Sequence, residues 1–365
     1  MSKAHLVLCS AALLALAAFF PHDARAWIDD YTITVTSAKD VEAKRAQLIQ
    51  FVWGTQGFPT GPSEVVGRDI PSPVAGLDNL QRVEKLHTSM PTLTLGNLVV
   101  ASYHFIPVRK NGRLIVLHQG HGCPISFDDA AKDSGGFQHT LKALLQDGFA
   151  VLAVYMPFHT DEQCEKGKHG ALFDEAPAGS TGTRFFLEPT AKGLNYLAKK
   201  YRYREFDMIG FSGGGWTTTV YAAIDPRIRI SIPIAGSLPL YLRKTPYSND
   251  EEQTHAAFYG IAGYPDLYIM GSFGKERAQV QVLNLHDPCC FSATFHDPAL
   301  PHVANEPEAQ RDFEPSVRLY EARVRSALKG LGAGAFRVVI DGGGKHTITD
   351  NVIATVIRPE LAAAR

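Results

Sequence analysis

A serine stands between glycines at the point where an apolar run ends. The stretch "FDMIGFSGGGW", residues 206–216, contains the pattern G-x-S-x-G at residues 210–214. Where this pattern joins a buried strand to a helix, a tight turn pushes the serine hydroxyl out of the sheet. The pattern therefore predicts that Ser212 is a nucleophile. The alternatives are a turn that only permits close packing, or a phosphate cradle, although neither G-x-G-x-x-G nor the P-loop spacing is present.

A serine hydroxyl needs a base to remove its proton and an acid to orient that base. His346 lies in "DGGGKHTIT", just past the last strand-like run, and Asp287 lies in "VLNLHDPCCF", where Pro288 ends another such run. Where a serine at such a turn acts with an acid and a histidine, the three follow one another along the chain as Ser, acid, His, which is the order found here. Asp341 is an alternative acid, but its place at the end of the histidine's own strand favours a turn or cap role. The three residues therefore predict acyl-transfer chemistry.

The loop "HQGHGC", residues 118–123, follows another buried apolar run. Its glycines allow close backbone approach, so we expect the backbone N–H groups of His121 and Gly213 to form an oxyanion hole. An alternative is a metal site built from side chains in and beyond this loop, namely His118, His121 and Cys123, extended by His159 and Cys164. Their spacing fits no standard closed zinc set, so the prediction is that the protein uses no metal and no cofactor.

Apolar runs and amphipathic stretches alternate from residue 80 onwards. The strand-like runs are 80–87, 98–108, 114–118, 149–156, 206–210, 228–235, 280–285 and 336–340. The predicted helices are 137–147, a stretch around 194–201, 213–223, 317–331 and the C-terminus. This alternation predicts an α/β fold with a mostly parallel sheet covered by helices on both faces.

Three segments stand outside that alternation. Residues 27–79 form an N-terminal extension, with a helix over 38–53 between Ser37 and Gly54 and an irregular Pro/Gly-rich stretch at 57–76. Residues 158–184 and a cap-like insertion, 236–277, are expected to wall the site. The insertion is rich in aromatic residues, which either stack on a sugar or aryl group or simply pack: Tyr241, Tyr247, Phe258, Tyr259, Tyr264 and Tyr268.

The N-terminus has the features of a signal peptide. Lys3 precedes an apolar run over 6–20, and Ala24-Arg25-Ala26 is a small-x-small cleavage pattern. We therefore expect residues 1–26 to be removed and the protein to be periplasmic or secreted. A membrane anchor is the alternative, but the apolar run is shorter than the roughly 20 residues that a spanning helix needs.

Charge and cysteine content limit the partners and the redox setting. Lys plus Arg (36) nearly balances Asp plus Glu (37), so bulk electrostatics recruit neither nucleic acid nor an anionic membrane. Export permits disulfides, and Cys123 with Cys164 is the favoured pair because both are expected in loops at one end of the sheet. The alternative for the adjacent Cys289 and Cys290 is that they are small buried hydrophobes, since adjacent cysteines bridge each other only with strained geometry, and the pairing of the four cysteines stays open.

The stretches "HQGHG", "GFSGGGW", "NLHDP" and "GGGKH", in that order, resemble the α/β-hydrolase superfamily. The stretch "AAIDPRIRISIPIAG" resembles its dienelactone-hydrolase-like and acetyl-esterase-like branches. The resemblance implies a sheet of about eight strands over residues 80–365, with the insertion between strands 6 and 7. It also implies a serine hydrolase with Ser212, Asp287 and His346 as its triad. The oxyanion loop is not the HGGG of many lipases, and 27–79 has no counterpart.

The expected function is hydrolysis of small or carbohydrate-linked esters by an exported enzyme. One alternative is a peptidase or amidase on the same triad, although 27–79 is too short for the propeller domain of the superfamily's oligopeptidases. Another, of a different class, is a non-catalytic binding protein on this fold. The predicted partner is a small-molecule ester, and the oligomeric state stays open.

Overall fold

The structure is a computed structural model. It describes residues 31–61, 65–121, 134–160, 163–164, 169–243, 251–289, 291, 313–343 and 345–363. The predicted signal peptide, Cys123, Cys290 and Tyr247 lie outside these residues, as do the side chains of His159 and Cys164. The predictions that involve them are therefore left as predictions.

A nine-stranded sheet organises the described chain. The strands are β1 Val65–Ile70, β2 Leu80–Pro91, β3 Asn97–Pro107, β4 Leu114–His118, β5 Ala150–Val154, β6 His159–Thr160, β7 Gln163–Cys164, β8 Phe206–Phe211, β9 Ile228–Ile234, β10 Ala278–Asn284 and β11 Ala335–Asp341. The order across the sheet is β1-β2-β3-β5-β4-β8-β9-β10-β11, and β6 pairs only with β7. The pairs from β1 to β5 are antiparallel, and those from β5 to β11 are parallel.

Helices cover both faces of the parallel part. They are α1 Ala38–Trp53, α2 Phe137–Gln146, α3 Ala171–Asp174, α4 Arg184–Tyr201, α5 Gly213–Ile224, α6 Glu251–Thr254, α7 Ala256–Ile261, α8 Tyr264–Ser272, α9 Phe313–Leu331, α10 Asp350–Val352 and α11 Arg358–Ala363. A π-helical turn, Ile353–Ile357, joins the last two. Within the described ranges, no helix combines the length and apolar character needed to cross a membrane.

The middle strands are buried along their whole length, as their largely apolar sequences predict. Every residue of β4, β5 and β8 is buried. In the register of β4 and β8, Leu114 faces Phe206 and His118 faces Gly210. Parallel neighbours in register end at the same edge, so the loops that follow β4 and β8 begin side by side.

The predicted N-terminal helix is confirmed as α1. The Ser37 hydroxyl accepts from the backbone N–H of Asp40 at 3.2 Å, and the Asp40 carboxylate accepts from the N–H of Ser37 at 2.8 Å. This reciprocal capping box begins the helix, and Gly54, with a φ of 60°, ends it. Its buried face, which includes Leu48 and Trp53, joins the same core as the sheet.

The prediction of irregular structure over 57–76 is wrong in part, because β1 lies within it. The strand pairs antiparallel with β2 and extends the sheet to nine strands instead of about eight. It is short and lies at the edge between proline- and glycine-containing segments, and one of its valines, Val66, is 68% exposed. An edge strand with so little buried apolar surface carries a weak sequence signal.

Helix α4 begins ten residues before the stretch that the sequence indicated. The sequence pattern missed its first half because that half buries charged side chains. Glu188 accepts from Arg184 at 2.9 Å and from Lys192 at 2.6 Å, and all three residues are buried. The indole N–H of Trp53 on α1 also donates to Glu188, at 3.2 Å. Charged residues that pair with one another inside the protein look, in the sequence, like residues of a solvent-exposed stretch.

The cap-like character of the insertion after β9 stays a prediction, and one helix of the insertion belongs to the framework of the fold. Helix α8 packs on α5 and α9 and against β10 and β11, so it is the crossover helix between two parallel strands. The described aromatic residues of the insertion pack in the core. Tyr259 accepts from the indole N–H of Trp216 at 2.7 Å and shares a 2.9 Å hydrogen bond with Tyr264. Both tyrosines are buried, as are Tyr241, Phe258 and Tyr268. Packing, the second alternative above, accounts for these described rings.

A buried carboxylate joins α4 to the antiparallel strands and leads to a stability prediction. Glu84 on β2 accepts from Tyr196 at 2.7 Å, Lys200 at 2.6 Å and Tyr201 at 2.6 Å. Burial alone would raise the pKa of Glu84, but these donors and the nearby His104 hold that pKa well below its usual value of 4.5. The ionised Glu84 therefore contributes its full stabilisation of the folded state above about pH 4.5. This contribution is lost as the pH falls towards the pKa of Glu84 in the folded protein.

We expect Glu84→Gln to lower the free energy of unfolding by about 2 kcal/mol at neutral pH, because the donors around it lose a charged acceptor. The loss is no larger because Lys200 is partly solvated, which weakens its ion pair with Glu84. Denaturant unfolding at about pH 7 and about pH 3 measures this, and the difference from wild type should shrink at the lower pH. Glu276→Gln, a change at an exposed glutamate, is the control. An equal loss of stability at both pH values would contradict the assignment.

Candidate active site

Ser212 stands at a strained turn between β8 and α5. Its φ is 55° and its ψ is −124°, values that L-residues rarely adopt. The backbone N–H of Ser212 donates to the carbonyl of Ile234 on β9 at 2.9 Å, which ties the turn to the neighbouring strand. The serine is thereby held above the carboxyl edge of the sheet, at the head of a 12-residue helix.

The structure brings the other two predicted residues to this serine. Nε2 of His346 lies 2.9 Å from Oγ of Ser212, and Nδ1 of His346 lies 2.7 Å from Oδ2 of Asp287. Because the carboxylate accepts at Nδ1, the neutral ring carries its proton there and offers the Nε2 lone pair to the hydroxyl. Asp287 is fully buried, whereas His346 is partly exposed. The arrangement can therefore take a proton from the serine and hold a positive charge on the ring.

Neighbouring groups hold Asp287 and His346 in place. The side-chain amide of Asn284, the last residue of β10, donates to the carbonyls of Lys345 at 2.6 Å and Thr347 at 2.9 Å, on both sides of His346. The second oxygen of Asp287 accepts from the backbone N–H of Cys289 at 2.8 Å. Asn284 therefore connects the strand that precedes Asp287 to the loop that contains His346.

The alternative acid has a different role. Asp341 accepts from the hydroxyl of Thr349 at 2.9 Å and from the side-chain amide of Asn351 at 3.0 Å. Thr349 is also the N-cap of α10. Asp341 thus fastens the start of the C-terminal helices, in line with the cap role expected for it, and Asp287 alone of the two contacts His346.

The loop after β4 lies directly against the serine. A Cβ placed on Gly120 would lie 2.5 Å from Cβ of Ser212, so only glycine fits there. A Cβ placed on Gly213 would lie 2.6 Å from Cε1 of the His121 ring. The two residues predicted to supply the oxyanion hole are therefore neighbours beside Ser212, and their role as donors stays a prediction.

The glycines around the serine are required by close contacts between backbone segments. A Cβ on Gly214 would lie 2.2 Å from the carbonyl oxygen of His118, and one on Gly210 would lie 2.1 Å from the carbonyl oxygen of Gly214. The first turn of α5 thus presses against the ends of β4 and β8 without room for a side chain. This close approach places the head of the helix under Ser212.

Gly214→Ala should therefore destabilise the protein by about 3 kcal/mol or more, because the added methyl group meets backbone rather than a movable side chain. The matched control is Gly330→Ala on α9, where an added Cβ has open space within 4 Å. That change should be neutral or stabilise by about 0.5 to 1 kcal/mol, since alanine favours helix. Thermal and denaturant unfolding of both variants measure the contrast, and equal stabilities would refute the close-packing explanation.

Of the alternative metal set from the sequence, the structure describes the side chains of His118 and His121. His118 is buried, its Nδ1 lies 2.9 Å from the carbonyl of Gln119, and burial lowers its pKa to about 4. Of these two, His121 meets other metal-ligating side chains, and they are His169 and Glu252, which the sequence did not indicate. These two residues are far apart in the chain and follow no motif spacing, so no local signal marks them.

Cys289 is disulfide-bonded and exposed. Its interpretation as a small buried hydrophobe is therefore wrong, and its partner lies outside the residues whose side chains are described. Bonded sulfur offers no thiolate, so the proximity of Cys289 to Asp287 and His346 makes no metal site there.

No protein-family model matches the chain, and no curated protein matches it. Solved structures do resemble it. An acetyl xylan esterase from a Thermoanaerobacterium species superposes with a TM-score of 0.54 at 12% identity, over 89% of this chain and 94% of that one. The chain has the α/β-hydrolase fold.

Two glucuronoyl esterases support the same conclusion about the α/β-hydrolase fold. The protein from Teredinibacter turnerae has a TM-score of 0.56 at 14% identity, covering 92% of this chain and 87% of that one. The protein from Solibacter usitatus has a TM-score of 0.56 at 11% identity, covering 90% and 92%. At such low identity these likenesses establish the architecture alone, and they confirm the fold that the motifs predicted.

Proposed function

We propose that this α/β-hydrolase-fold protein is a carboxylic ester hydrolase that acts through an acyl-enzyme on Ser212. The observation that carries the proposal is the continuous hydrogen-bonded chain from Ser212 through His346 to Asp287, at 2.9 and 2.7 Å. A strained serine, a base within proton-transfer distance and a buried acid behind that base make up the minimum apparatus for acyl transfer.

In the first step Oγ of Ser212 attacks the ester carbonyl while Nε2 of His346 takes the hydroxyl proton. Asp287 stabilises the imidazolium that forms, and the backbone N–H groups of Gly213 and His121 receive the oxyanion. The ring then gives its proton to the leaving alcohol. In the second step His346 takes a proton from water and the resulting hydroxide attacks the acyl-serine. The bond between Oγ and the acyl carbon then breaks, the ring returns its proton to Oγ, and the carboxylic acid leaves.

The proposed substrates are small or carbohydrate-linked acyl esters. Similar structures with acetyl xylan and glucuronoyl esterase activity in their names support this class as an analogy of fold. The signal-like residues 1–26 support an exported enzyme, which would meet such esters outside the cytoplasm.

A substrate panel tests the proposal. The mature protein is assayed with aryl acetates, acetylated xylo-oligosaccharides and a glucuronate ester, next to peptide anilides of matched aryl leaving groups. We expect turnover of at least one ester class at a kcat/KM well above that for any anilide. Preferential cleavage of anilides would favour the amidase alternative, and turnover of nothing in the panel would favour a binding protein.

A further inference from the structure

We propose that His121, His169 and Glu252 bind one divalent metal ion of the zinc type beside the catalytic serine. The proposal concerns side chains that the acyl-transfer mechanism does not use, and it departs from the expectation that the protein holds no metal. It does not depend on the proposed esterase activity.

The distances among the three ligand atoms are those of a zinc site. Nε2 of His121 lies 3.1 Å from Nδ1 of His169 and 3.4 Å from Oε1 of Glu252, and the last two atoms are 3.5 Å apart. Tetrahedral ligands about 2.0 to 2.1 Å from a zinc ion lie about 3.3 to 3.4 Å from one another. One ion could thus contact all three atoms after shifts of a few tenths of an ångström.

The orientation of His169 is already suitable for a ligand. Its Nε2 lies 2.9 Å from the carbonyl oxygen of Pro157, an acceptor, so Nε2 carries the proton. The lone pair of Nδ1 then points at His121 and Glu252. A backbone carbonyl that fixes the far nitrogen of a ligating histidine is a common feature of metal sites.

Charge favours a cation at this position. Glu252 is fully buried, and among the described residues its ion-pair partners are the two histidines and no lysine or arginine. Both carboxylate oxygens of Glu252 are buried, and neither has a hydrogen-bond partner among the described residues. A buried carboxylate that stays ionised needs a compensating positive charge, which a divalent ion would supply beside neutral histidines.

The ligands come from three separate segments. His121 belongs to the loop after β4 and contacts Gly213, His169 precedes α3, and Glu252 lies on α6 of the insertion. A bound ion would therefore fasten the predicted oxyanion loop to the insertion. Two histidines and one glutamate leave the fourth tetrahedral position open, where water or an oxygen of the substrate would bind.

The alternative is a metal-free network in which the three side chains share protons. Metal and proton compete for the same lone pairs, so metal uptake should release protons and weaken as the pH falls. Direct metal binding separates the two explanations, because a proton network takes up no stoichiometric zinc.

The test uses untagged, chelator-treated protein and added Zn²⁺. Calorimetry and elemental analysis should give one zinc per chain, and Co²⁺ should give the visible absorption of a tetrahedral site. Glu252→Gln and His121→Ala should each weaken Zn²⁺ binding by about 100-fold or more, since even loss of a partner behind a ligand costs about 10- to 100-fold. His139→Ala, a change at an exposed histidine on α2, should leave the affinity unchanged.

Loss of binding in both ligand variants, with His139→Ala unaffected, supports the site. Failure of the wild-type protein to retain stoichiometric zinc, or unchanged affinity in the folded ligand variants, would overturn it. Circular dichroism checks folding, and His121→Ala decides the matter if Glu252→Gln does not fold, because the His121 side chain is 28% exposed. An inactive protein that still binds zinc would refute the esterase proposal and leave the metal site intact.

Discussion

Replacing Ser212 by alanine is expected to reduce kcat for ester hydrolysis by about 10⁴- to 10⁶-fold. The hydroxyl group is all that the substitution removes, and its oxygen, Oγ, is the atom that His346 contacts at 2.9 Å. Because the oxyanion donors and the binding surface remain, a small residual rate over uncatalysed hydrolysis should persist. KM should change little, since the substrate does not depend on the hydroxyl for binding. Steady-state assays on the best ester of the panel measure both quantities.

The control for this change is Ser326→Ala, a change at an exposed serine on α9. It should leave kcat at the wild-type value. The unfolding temperature of Ser212→Ala should also stay close to wild type, because alanine meets the same backbone strain as serine at a φ of 55°. Undiminished turnover by a folded Ser212→Ala protein would remove Ser212 from the mechanism.

The second large effect is expected at Asp287. Asp287→Asn keeps the shape of the side chain but can present its amide to Nδ1 of His346, a contact of 2.7 Å in the structure. An amide that donates there favours the tautomer with its proton on Nε2, where the ring can no longer accept from the serine. We expect kcat to fall by about 10⁴-fold, the size seen when a triad acid is made neutral.

Asp341→Asn is the matched control, because Asp341 was the alternative acid. It should retain kcat within a few-fold, while losing about 1 kcal/mol of stability through its weakened contacts with Thr349 and Asn351. Rates at several pH values, with unfolding curves for both variants, distinguish the two aspartates. A larger loss of kcat in Asp341→Asn than in Asp287→Asn would contradict the assignment.

The predicted fold is confirmed where strands are buried on both faces. Runs such as those of β4, β5 and β8 are apolar along most of their length, so their strand character is visible without any partner. The sequence failed where tertiary contacts replace local pattern. The charges of Arg184, Glu188 and Lys192 satisfy one another inside the protein, and β1 depends on β2 for its hydrogen bonds.

The candidate site divides in the same way. Ser212, Asp287 and His346 could be selected because each follows a recognisable strand, and parallel strands deliver the ends of their loops to one edge. His169 and Glu252 follow no strand of the main sheet. They reach His121 because the tertiary structure places α6 and residues 169–170 beside it, and spacing along the chain does not contain that information.

The most direct test of the central claim is covalent labelling with an alkyl fluorophosphonate, which reacts with activated serines. Mass spectrometry of the wild-type protein should show one adduct per chain, located on the peptide that contains Ser212. The adduct should be absent from Ser212→Ala and strongly slowed in His346→Ala, because the base no longer activates the hydroxyl. An unlabelled wild-type protein, or an adduct that persists in Ser212→Ala, would contradict the account.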